Sequence, residues 1–208
     1  MQGCGGRAPV TFNKIKSSTS VAECCFGAVV RQHHGVSRAY LNYSKRGKIK
    51  METELSYHPI KEDEKQAICE WVYDGEYSIY NLPSYEEMKE KNLGFANPQK
   101  EKNFYTYFDH DTLVGFTNIL EEETEVFIGI GVNPDFCSKG YGQKILEIAS
   151  QICAQKYPRK PLYLEVRTWN ERAIRCYQKA GFVIDGDVIE QETYIGRSIF
   201  YRMIKKNI

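Results

Sequence analysis

A run of mostly apolar residues from Glu125 to Val132 leads, through a short turn that contains glycines, into a long segment of helical periodicity. The run has the length of one buried strand, and Pro134 ends it because proline cannot donate to a strand ladder. From Gly140 to Tyr157, apolar residues recur every three or four positions, which predicts a helix with one buried face. Its inward residues are predicted to be Ile145, Leu146, Ile148, Ala149, Ile152 and Cys153. A strand that feeds a helix in this way favours an α/β domain.

The rest of the chain from Met51 onward completes the order β-α-α-β-β-β-α-β-α-β-β. Lys61 to Tyr73 is predicted to be an amphipathic helix, with Ala67, Ile68, Trp71 and Val72 on one face. Ser84 is predicted to cap a second helix, and the connector Asp74 to Pro83 is predicted to be a loop. The other predicted elements are the helix Glu171–Ala180, closed by Gly181, and the strands Glu54–Ile60, Asn103–Asp109, Thr112–Leu120, Pro161–Thr168, Phe182–Ile189 and Ser198–Ile204.

The composition is that of an ordinary globular protein, with 42% hydrophobic and 26% charged residues among 208. No run approaches eighteen apolar residues, so we expect no membrane-spanning helix and no membrane partner. The seven cysteines form no C-x-x-C pair and no zinc-type cluster. We therefore expect reduced thiols, a cytoplasmic location and no metal site.

Charge divides the chain into two unequal parts. Residues 1–50 carry nine Lys or Arg against one acid, Glu23, whereas the remainder is acidic on balance. We therefore predict a poorly ordered basic extension at 1–50 and a single domain at 51–208. Two interpretations of the extension stay open: a genuine basic tail, or residues translated from a ribosome-binding region upstream of Met51 and not native. The acidic domain favours a cationic partner such as an amine over nucleic acid.

The turn between the apolar run and the long helix is Cys-Ser-Lys-Gly-Tyr-Gly-Gln, residues 137–143. Glycines at 140 and 142 let the backbone approach a ligand closely, and the free N–H groups of a helix start attract phosphate. The same pattern also occurs in turns that bind nothing, and it is neither a Walker loop nor a dinucleotide fingerprint. Gly129 and Gly131, in the preceding strand, indicate a bulge or a place where a ligand meets the backbone.

A second motif runs from Asn170 to Phe182, Asn-Glu-Arg-Ala-Ile-Arg-Cys-Tyr-Gln-Lys-Ala-Gly-Phe. Asn170 is predicted to cap a helix, and Tyr177 follows two helical turns later on the same face. Composition alone favours a packing role for Tyr177, since the chain has 15 tyrosines.

Together the two motifs resemble the GNAT family of N-acetyltransferases. The family's acetyl-CoA signature, Arg/Gln-x-x-Gly-x-Gly/Ala, falls on residues 137–142, and its Asn-x-x-Ala-x-x-x-Tyr-x-Lys-x-Gly-Phe motif is matched from Asn170 to Phe182. The resemblance covers residues 54–204 and implies the GNAT fold, a mixed and mostly antiparallel sheet with two splayed parallel strands and helices on both faces. Cys137 departs from the pattern, because the family usually has Arg or Gln there, and weaker affinity for CoA would follow.

The resemblance also implies acetyl-CoA as co-substrate and assigns residues to it. Pantetheine would pair with the strand that ends at Val132, whose backbone N–H would polarise the thioester carbonyl. The residues implied to bind acetyl-CoA are Ile130, Val132, Cys137, Ser138, Lys139, Gly140, Tyr141, Gly142, Gln143, Lys144, Asn170 and Tyr177.

The implied reaction is direct attack of a primary amine on the thioester in a ternary complex. Tyr177 would protonate the leaving thiolate, and Glu125 would act as the base, with Glu165 and bulk water as alternatives. The acceptor, a small-molecule or peptide amine, would meet Glu76, Tyr77 and Tyr80 in the connector, because acids and aromatic rings suit a cation. A plain helix–helix connector is the alternative interpretation of that segment.

Two other functions remain open at this point. The chain could be a catalytically weak acyl-CoA-binding sensor of the same fold, or the basic extension could serve a nucleic-acid partner, which its scattered positive charges disfavour. A homodimer is compatible with the sequence.

Overall fold

The computed structural model describes residues 54–193 and 196–205, so the predicted extension at 1–50 lies outside the described part. Its helices are α1 (Glu62–Cys69), α2 (Tyr85–Glu90), α3 (Tyr141–Lys156) and α4 (Glu171–Lys179). Its strands are β1 (Ser56–Pro59), β2 (Phe104–Asp109), β3 (Thr112–Glu121), β4 (Val126–Val132), β5 (Leu162–Arg167), β6 (Val183–Ile184), β7 (Ile189–Thr193) and β8 (Gly196–Lys205). Short 3-10 helices occupy Gly75–Tyr80, Gly94–Ala96, Glu101–Asn103 and Pro134–Phe136.

The eight strands form one sheet in the order β1-β2-β3-β4-β5-β8-β6, with β7 paired to β8. All neighbouring pairs are antiparallel except β4 and β5. That parallel pair has only two paired positions, Val126 with Leu162 and Phe127 with Tyr163. Beyond them the two strands diverge, which confirms the mixed, mostly antiparallel sheet with splayed parallel strands.

Each face of the sheet carries its own apolar core. The larger one lies under α3 and α4, and its fully buried members include Val126, Ile128, Ile145 and Leu164. The smaller one lies under α1 and α2 and is built from Ile60, Ile68, Tyr85, Met88, Phe95, Phe104 and Phe116. The helices therefore cover both faces, as expected. None of the helices in the described part of the chain is long and apolar enough to cross a membrane.

The first predicted helix is shorter than its apolar pattern indicated. It ends at Cys69, and the Asn81 side chain then pairs with both backbone groups of Tyr73, at 2.7 Å and 3.3 Å, which holds Tyr73 outside the helix. Trp71 packs on the Phe116 ring at 5.9 Å, whereas Val72 is 66% exposed. The apolar residues after Cys69 therefore do not share one helical face.

The closing part of the sheet also differs from the prediction. Instead of one strand from Phe182 to Ile189, there are the short β6 and the separate β7, whose residues pair with β8 from Ile189–Phe200 to Thr193–Gly196. Glu190 and Glu192 occupy the outward positions of β7, and these charged residues make the segment difficult to predict as a strand from the sequence.

Gly131 is explained by packing within the sheet. It lies directly opposite Phe116 in the β3–β4 ladder, which runs without a register shift, so the predicted bulge is absent from that ladder. A Cβ at position 131 would lie 2.2 Å from the Phe116 ring. The glycine therefore allows the Phe116 ring to lie across β4.

We expect Gly131→Ala to lower the free energy of unfolding by about 1–3 kcal/mol, because the new methyl group forces the Phe116 ring to move. Gly129→Ala is the control: its Cβ would lie 3.3 Å from the edge of the Phe127 ring, an ordinary contact after a small adjustment. Urea unfolding of both variants measures the difference. Phe116→Leu should restore part of the loss in the Gly131→Ala background, and equal stability of the two glycine variants would contradict this account.

Candidate active site

A cavity of about 460 Å³ opens where β4 and β5 diverge. Gly129 to Val132 of β4 form one wall, and Glu165 to Arg167 of β5 form another. The start of α3, one face of α4 and the segment between α1 and α2 (residues 70–84, called the connector after α1) also line the cavity. The parallel pair therefore shapes the cavity directly.

The turn before α3 contributes backbone and small side chains to the cavity. Ser138 and Gly140 both have positive φ, 62° and 88°, and Gly140 is the N-cap of α3. A Cβ at Gly142 would lie 2.8 Å from the Cys176 sulfur, so this glycine lets α3 pack closely against α4. Gly140 is therefore needed for its left-handed backbone conformation, and Gly142 is needed for the close packing of α3 on α4. Free N–H groups at the first turn of α3 suit a phosphate group.

Most of the residues predicted to hold acetyl-CoA line this cavity, namely Ile130, Val132, Cys137, Ser138, Gly140, Gly142, Gln143, Asn170 and Tyr177. Three others do not. The Lys139 ammonium lies over the Phe136 ring, the Tyr141 hydroxyl donates to Asp109 at 2.5 Å, and the Lys144 ammonium lies over the Tyr141 ring. These two lysines remain close enough to the turn to add positive charge there.

Cys137 occupies the position where a polar or basic side chain was expected. Its half-buried thiol donates to the carbonyl of Val132 at 3.7 Å, and burial raises the pKa of the thiol. The Tyr73 hydroxyl donates to the same carbonyl at 2.8 Å. The thiol is therefore neutral at pH 7 and supports the end of β4 without adding charge to the loop.

Asn170 is buried, at 6% exposure, and uses both ends of its amide. Its oxygen accepts from the Ala173 backbone N–H at 3.1 Å, which confirms the predicted cap of α4. Its nitrogen donates to the Tyr80 hydroxyl at 3.0 Å. Asn170 thus ties the connector to the start of α4 at the edge of the cavity.

Tyr177 projects from α4 into the cavity. Its hydroxyl forms no hydrogen bond with any described residue, and burial raises the pKa of the phenol above its ordinary value. The side chain is therefore a neutral O–H donor at pH 7 whose hydrogen-bonding capacity faces the cavity.

Glu125 and Glu165 occupy different environments. Glu125 precedes β4 at the paired end of the parallel strands and binds Arg202, with Oε2 at 2.5 Å from Nη2. It does not line the cavity, so the structure does not bring this predicted base to the site. Glu165 does line it, and its Oε2 accepts from Gln191 at 2.9 Å. Burial raises the pKa of Glu165, which favours a carboxylate able to hold a proton.

Of the three residues predicted to meet the acceptor, Tyr80 lines the cavity, while Glu76 is exposed and points elsewhere. Tyr77 does not line the cavity. The Arg172 guanidinium lies over its ring at 4.0 Å, and the Trp169 ring lies 5.6 Å away. The acid that was expected to attract a cation is therefore absent from the connector's inner surface.

Several cavity residues carried no signal in the sequence. Tyr73 lay in the predicted helix, and Gln191 lay between two predicted strands, so neither was assigned to a site. The alternation along β3 and β4 was the available signal for the apolar wall formed by Phe116 and Phe127.

Within residues 54–193 and 196–205, no group of three His, Cys, Asp or Glu side chains could hold a metal ion.

We expect Asn170→Ala to lower the free energy of unfolding by about 1–2 kcal/mol, since it removes the cap of α4 and the hydrogen bond to Tyr80. Asn170→Asp keeps the capping oxygen but has no N–H to donate, so its loss should be smaller. Ser84→Ala, which removes the cap of α2 at a position that does not line the cavity, is the matched control for capping alone. Thermal unfolding with and without acetyl-CoA measures all three, and a loss no larger than that of Ser84→Ala would contradict the bridging role.

Comparison with known proteins agrees with this architecture. The model of the family described as "Acetyltransferase (GNAT) family" matches residues 65–182. The uncharacterized N-acetyltransferase YfmK of Bacillus subtilis (strain 168) is 27% identical over 107 residues, covering 48% of this chain and 67% of that protein.

Two solved structures share the fold at low identity. A GNAT-family acetyltransferase from Bacillus anthracis matches with a TM-score of 0.63 at 14% identity, over 74% of this chain and 95% of that chain. Spermidine N-acetyltransferase from Vibrio cholerae, in complex with CoA and spermine, matches with a TM-score of 0.55 at 17% identity, over 75% and 97%. With the cavity and both motifs in place, the chain belongs to the acetyltransferase (GNAT) family and is an acetyl-CoA-dependent N-acetyltransferase.

Proposed function

We propose that this enzyme acetylates a primary amine by direct attack within a ternary complex. One observation carries the proposal: Glu165 on β5 and Tyr177 on α4 line the same cavity. One is a carboxylate whose pKa is raised by burial, and the other is a neutral phenol. An acyl transfer from a thioester to an amine is assisted by an acceptor for the proton of the amine and a donor for the departing thiolate.

The co-substrate half of the cavity is proposed to be the side formed by β4, the turn before α3, and α4. The start of α3 offers free N–H groups to a pyrophosphate, and the nearby Lys139 and Lys144 add positive charge. Beyond Phe127, the backbone groups of β4 that face β5 have no partner on that strand. The backbone groups of Ile130 and the N–H of Val132 are free of the parallel ladder and can bond to an extended chain lying beside β4. The carbonyl of Val132 already accepts from Tyr73 and Cys137. When bound, acetyl-CoA supplies an activated acyl group as a thioester.

Glu165 is proposed to accept the proton of the attacking amine. An alkylamine with a pKa of about 10 is mostly protonated at pH 7 and must lose a proton before it can attack. A carboxylate whose pKa is raised is a better acceptor than an exposed one, because its basicity lies closer to neutral pH. Gln191 donates to Oε2 of the carboxylate at 2.9 Å and so holds the side chain in place.

Tyr177 is proposed to donate its hydroxyl proton to the departing sulfur. The raised pKa of the phenol keeps the proton in place until negative charge develops nearby. The hydroxyl has no competing acceptor among the described residues, so it is available to the cavity. Tyr80, held by Asn170 at 3.0 Å, is proposed to flank the acceptor, with Tyr77 behind it.

We expect Tyr177→Phe to lower kcat for acetyl transfer by about 10²-fold, because it removes the proton donor and keeps the ring. The Kd for acetyl-CoA should change less than about twofold, since the hydroxyl contributes little to ground-state binding. CoA thiol release with a panel of primary amines gives kcat, and calorimetry gives Kd. Tyr57→Phe, on the remote β1, is the matched control. Unchanged kcat would remove Tyr177 from the mechanism.

We expect Glu165→Gln to lower kcat/KM by about 10²-fold or more, because the amide cannot accept a proton, whereas Glu125→Gln should leave turnover intact. Glu125→Gln should instead lower the melting temperature, since it weakens the ion pair with Arg202. Steady-state turnover and thermal unfolding of both variants separate the two roles. The reverse assignment, turnover lost with Glu125→Gln alone, would contradict the proposal.

The pH profile provides an independent check on Glu165. The Gln191 N–H stabilises the ionised carboxylate and so lowers its pKa against the effect of burial. Gln191→Leu removes that donor, and the pKa of Glu165 should rise further. The acidic limb of kcat/KM, where activity falls as Glu165 is protonated, should therefore move to higher pH. A limb that stays in place or moves to lower pH would rule Glu165 out as the base.

A further inference from the structure

The half of the cavity on the α1 side has walls of a different character from the co-substrate half. We call it the acceptor chamber; its apolar lining residues are Ile68, Trp71, Leu82, Phe104, Phe116 and Phe127. Most of them belong to the smaller core or pack against it, so the chamber is a recess in that core. In the ladders, Phe116 lies opposite Gly131, and Phe127 opposite Tyr163, two residues before Glu165 on the same strand. The apolar walls and Glu165 therefore face the same side of the sheet.

Aromatic rings make the chamber rigid. The Phe116 ring contacts Trp71 at 5.9 Å and Phe104 at 6.4 Å between centroids. Gly131 lets the Phe116 ring lie flat across β4, because a Cβ there would meet the ring at 2.2 Å. Four of the six lining side chains, Ile68, Phe104, Phe116 and Phe127, are buried, at 8% exposure or less, whereas Trp71 and Leu82 are half-buried. The accessible wall of the chamber is therefore formed mainly by Trp71 and Leu82 and is apolar, which suits an apolar group on the acceptor.

Charge in the cavity is unsuited to a substrate with several ammonium groups. Among the described residues that line the cavity, the one carboxylate is Glu165. Three of the basic side chains, Arg172, Arg175 and Lys179, lie on α4 in the co-substrate half, and the fourth, Arg167, follows Glu165 on β5. The buried Arg167 is hydrogen-bonded to Ser198 and stacks on the Phe200 ring, and it forms no ion pair with a described residue. Glu76, the acid expected in the connector, is exposed and outside the cavity. A second ammonium group on the substrate would therefore lose its hydration beside apolar walls and the buried Arg167, and it would find no second carboxylate to pair with.

From these walls and charges we infer that the acceptor is a primary amine that carries one apolar group of aromatic size, and is not a polyamine. The inference rests on the proposed function and adds the substrate class. The amine lies at Glu165 and the apolar group fills the chamber between Trp71 and Phe127. The spermidine N-acetyltransferase that shares this fold at 17% identity then differs from this enzyme in acceptor chemistry. Free amines and the N-terminal residue of a peptide present the same group.

A turnover comparison with the purified full chain tests the inference. The acceptors are 2-phenylethylamine, a tetrapeptide that begins with phenylalanine, ethanolamine and spermidine, each at saturating acetyl-CoA with CoA thiol release as the readout. We expect kcat/KM for at least one of the first two to exceed that for ethanolamine and for spermidine by about tenfold or more, the discrimination that an apolar pocket provides. The faster of the two apolar acceptors distinguishes a free amine from a peptide terminus.

Two variants link the preference to the chamber. Trp71→Leu shortens one wall while keeping an apolar residue over the smaller core, and it should raise KM for the apolar acceptor several-fold with KM for acetyl-CoA unchanged. Leu82→Glu adds a carboxylate to the chamber, and it should lower kcat/KM for the apolar acceptor and raise it for spermidine. Val188→Ala, an exposed apolar residue outside the cavity, is the control and should change neither.

The outcomes separate this inference from the function on which it rests. Preference of the unmodified enzyme for spermidine or ethanolamine would overturn the substrate class and leave acetyl transfer standing. Equal KM for the apolar acceptor in Trp71→Leu and in the unmodified enzyme would likewise remove the chamber from recognition. Absence of CoA release with every amine would overturn the proposed function and this inference with it.

Discussion

The short parallel contact between β4 and β5 is the constraint on which the rest of the site depends. Two residue pairs, Val126 with Leu162 and Phe127 with Tyr163, hold the strands together at one end. Packing reinforces that end: the Phe127 and Tyr163 rings meet edge-on at 5.3 Å, and the Arg202 guanidinium covers Tyr163 at 4.2 Å. Arg202 also binds Glu125. Because the strands are fastened there and twist apart beyond, the sheet itself makes the cavity.

The open end of the same strands is held by the connector after α1. The Tyr73 hydroxyl donates to the carbonyl of Val132, the last residue of β4. Tyr80 accepts from Asn170, which caps the helix that follows β5. One short segment therefore bridges the ends of both diverging strands, through two tyrosines whose pKa values are raised mainly by burial. The two diverging strands are thus tied together at both ends, by their paired residues at one end and by this segment at the other.

The elements that sequence could predict are those whose determinants are local. The caps Ser84 and Asn170 act on adjacent backbone, and the period of α3 lies within sixteen residues, so these elements were predicted with their starts nearly right. The C-cap of α4 is Ala180, and the predicted Gly181 follows it in the left-handed conformation. That Glu165 lines the cavity, and the predicted base Glu125 does not, depends on contacts between residues distant in sequence. Which strand residue faces the divergence depends on the register between β4 and β5, and that register is set by two pairs far apart in sequence.

The same distinction explains the acceptor half of the cavity. The sequence points to Glu76 and Tyr77 because an acid and an aromatic ring suit a cation. A 3-10 helix, however, turns neighbouring residues in different directions, and Glu76 faces solvent. Gln191, which donates to Glu165, lies in β7, and the charged residues on either side of it make β7 difficult to predict as a strand. The walls of the chamber come from α1, the connector, β2, β3 and β4, so no single window of sequence contains them.

Cys137 lies in the first of the two motifs. Because its thiol is neutral, the proposed phosphate binding by the turn before α3 rests on backbone N–H groups and neighbouring lysines. That arrangement requires the turn to be rigid, and Gly142 provides the rigidity: with no Cβ there, the Cys176 sulfur lies against the backbone of α3. Cys176 directly precedes Tyr177. The contact that stabilises the turn before α3 therefore also fixes the helix position from which Tyr177 reaches the cavity, so the two motifs act as one packed unit.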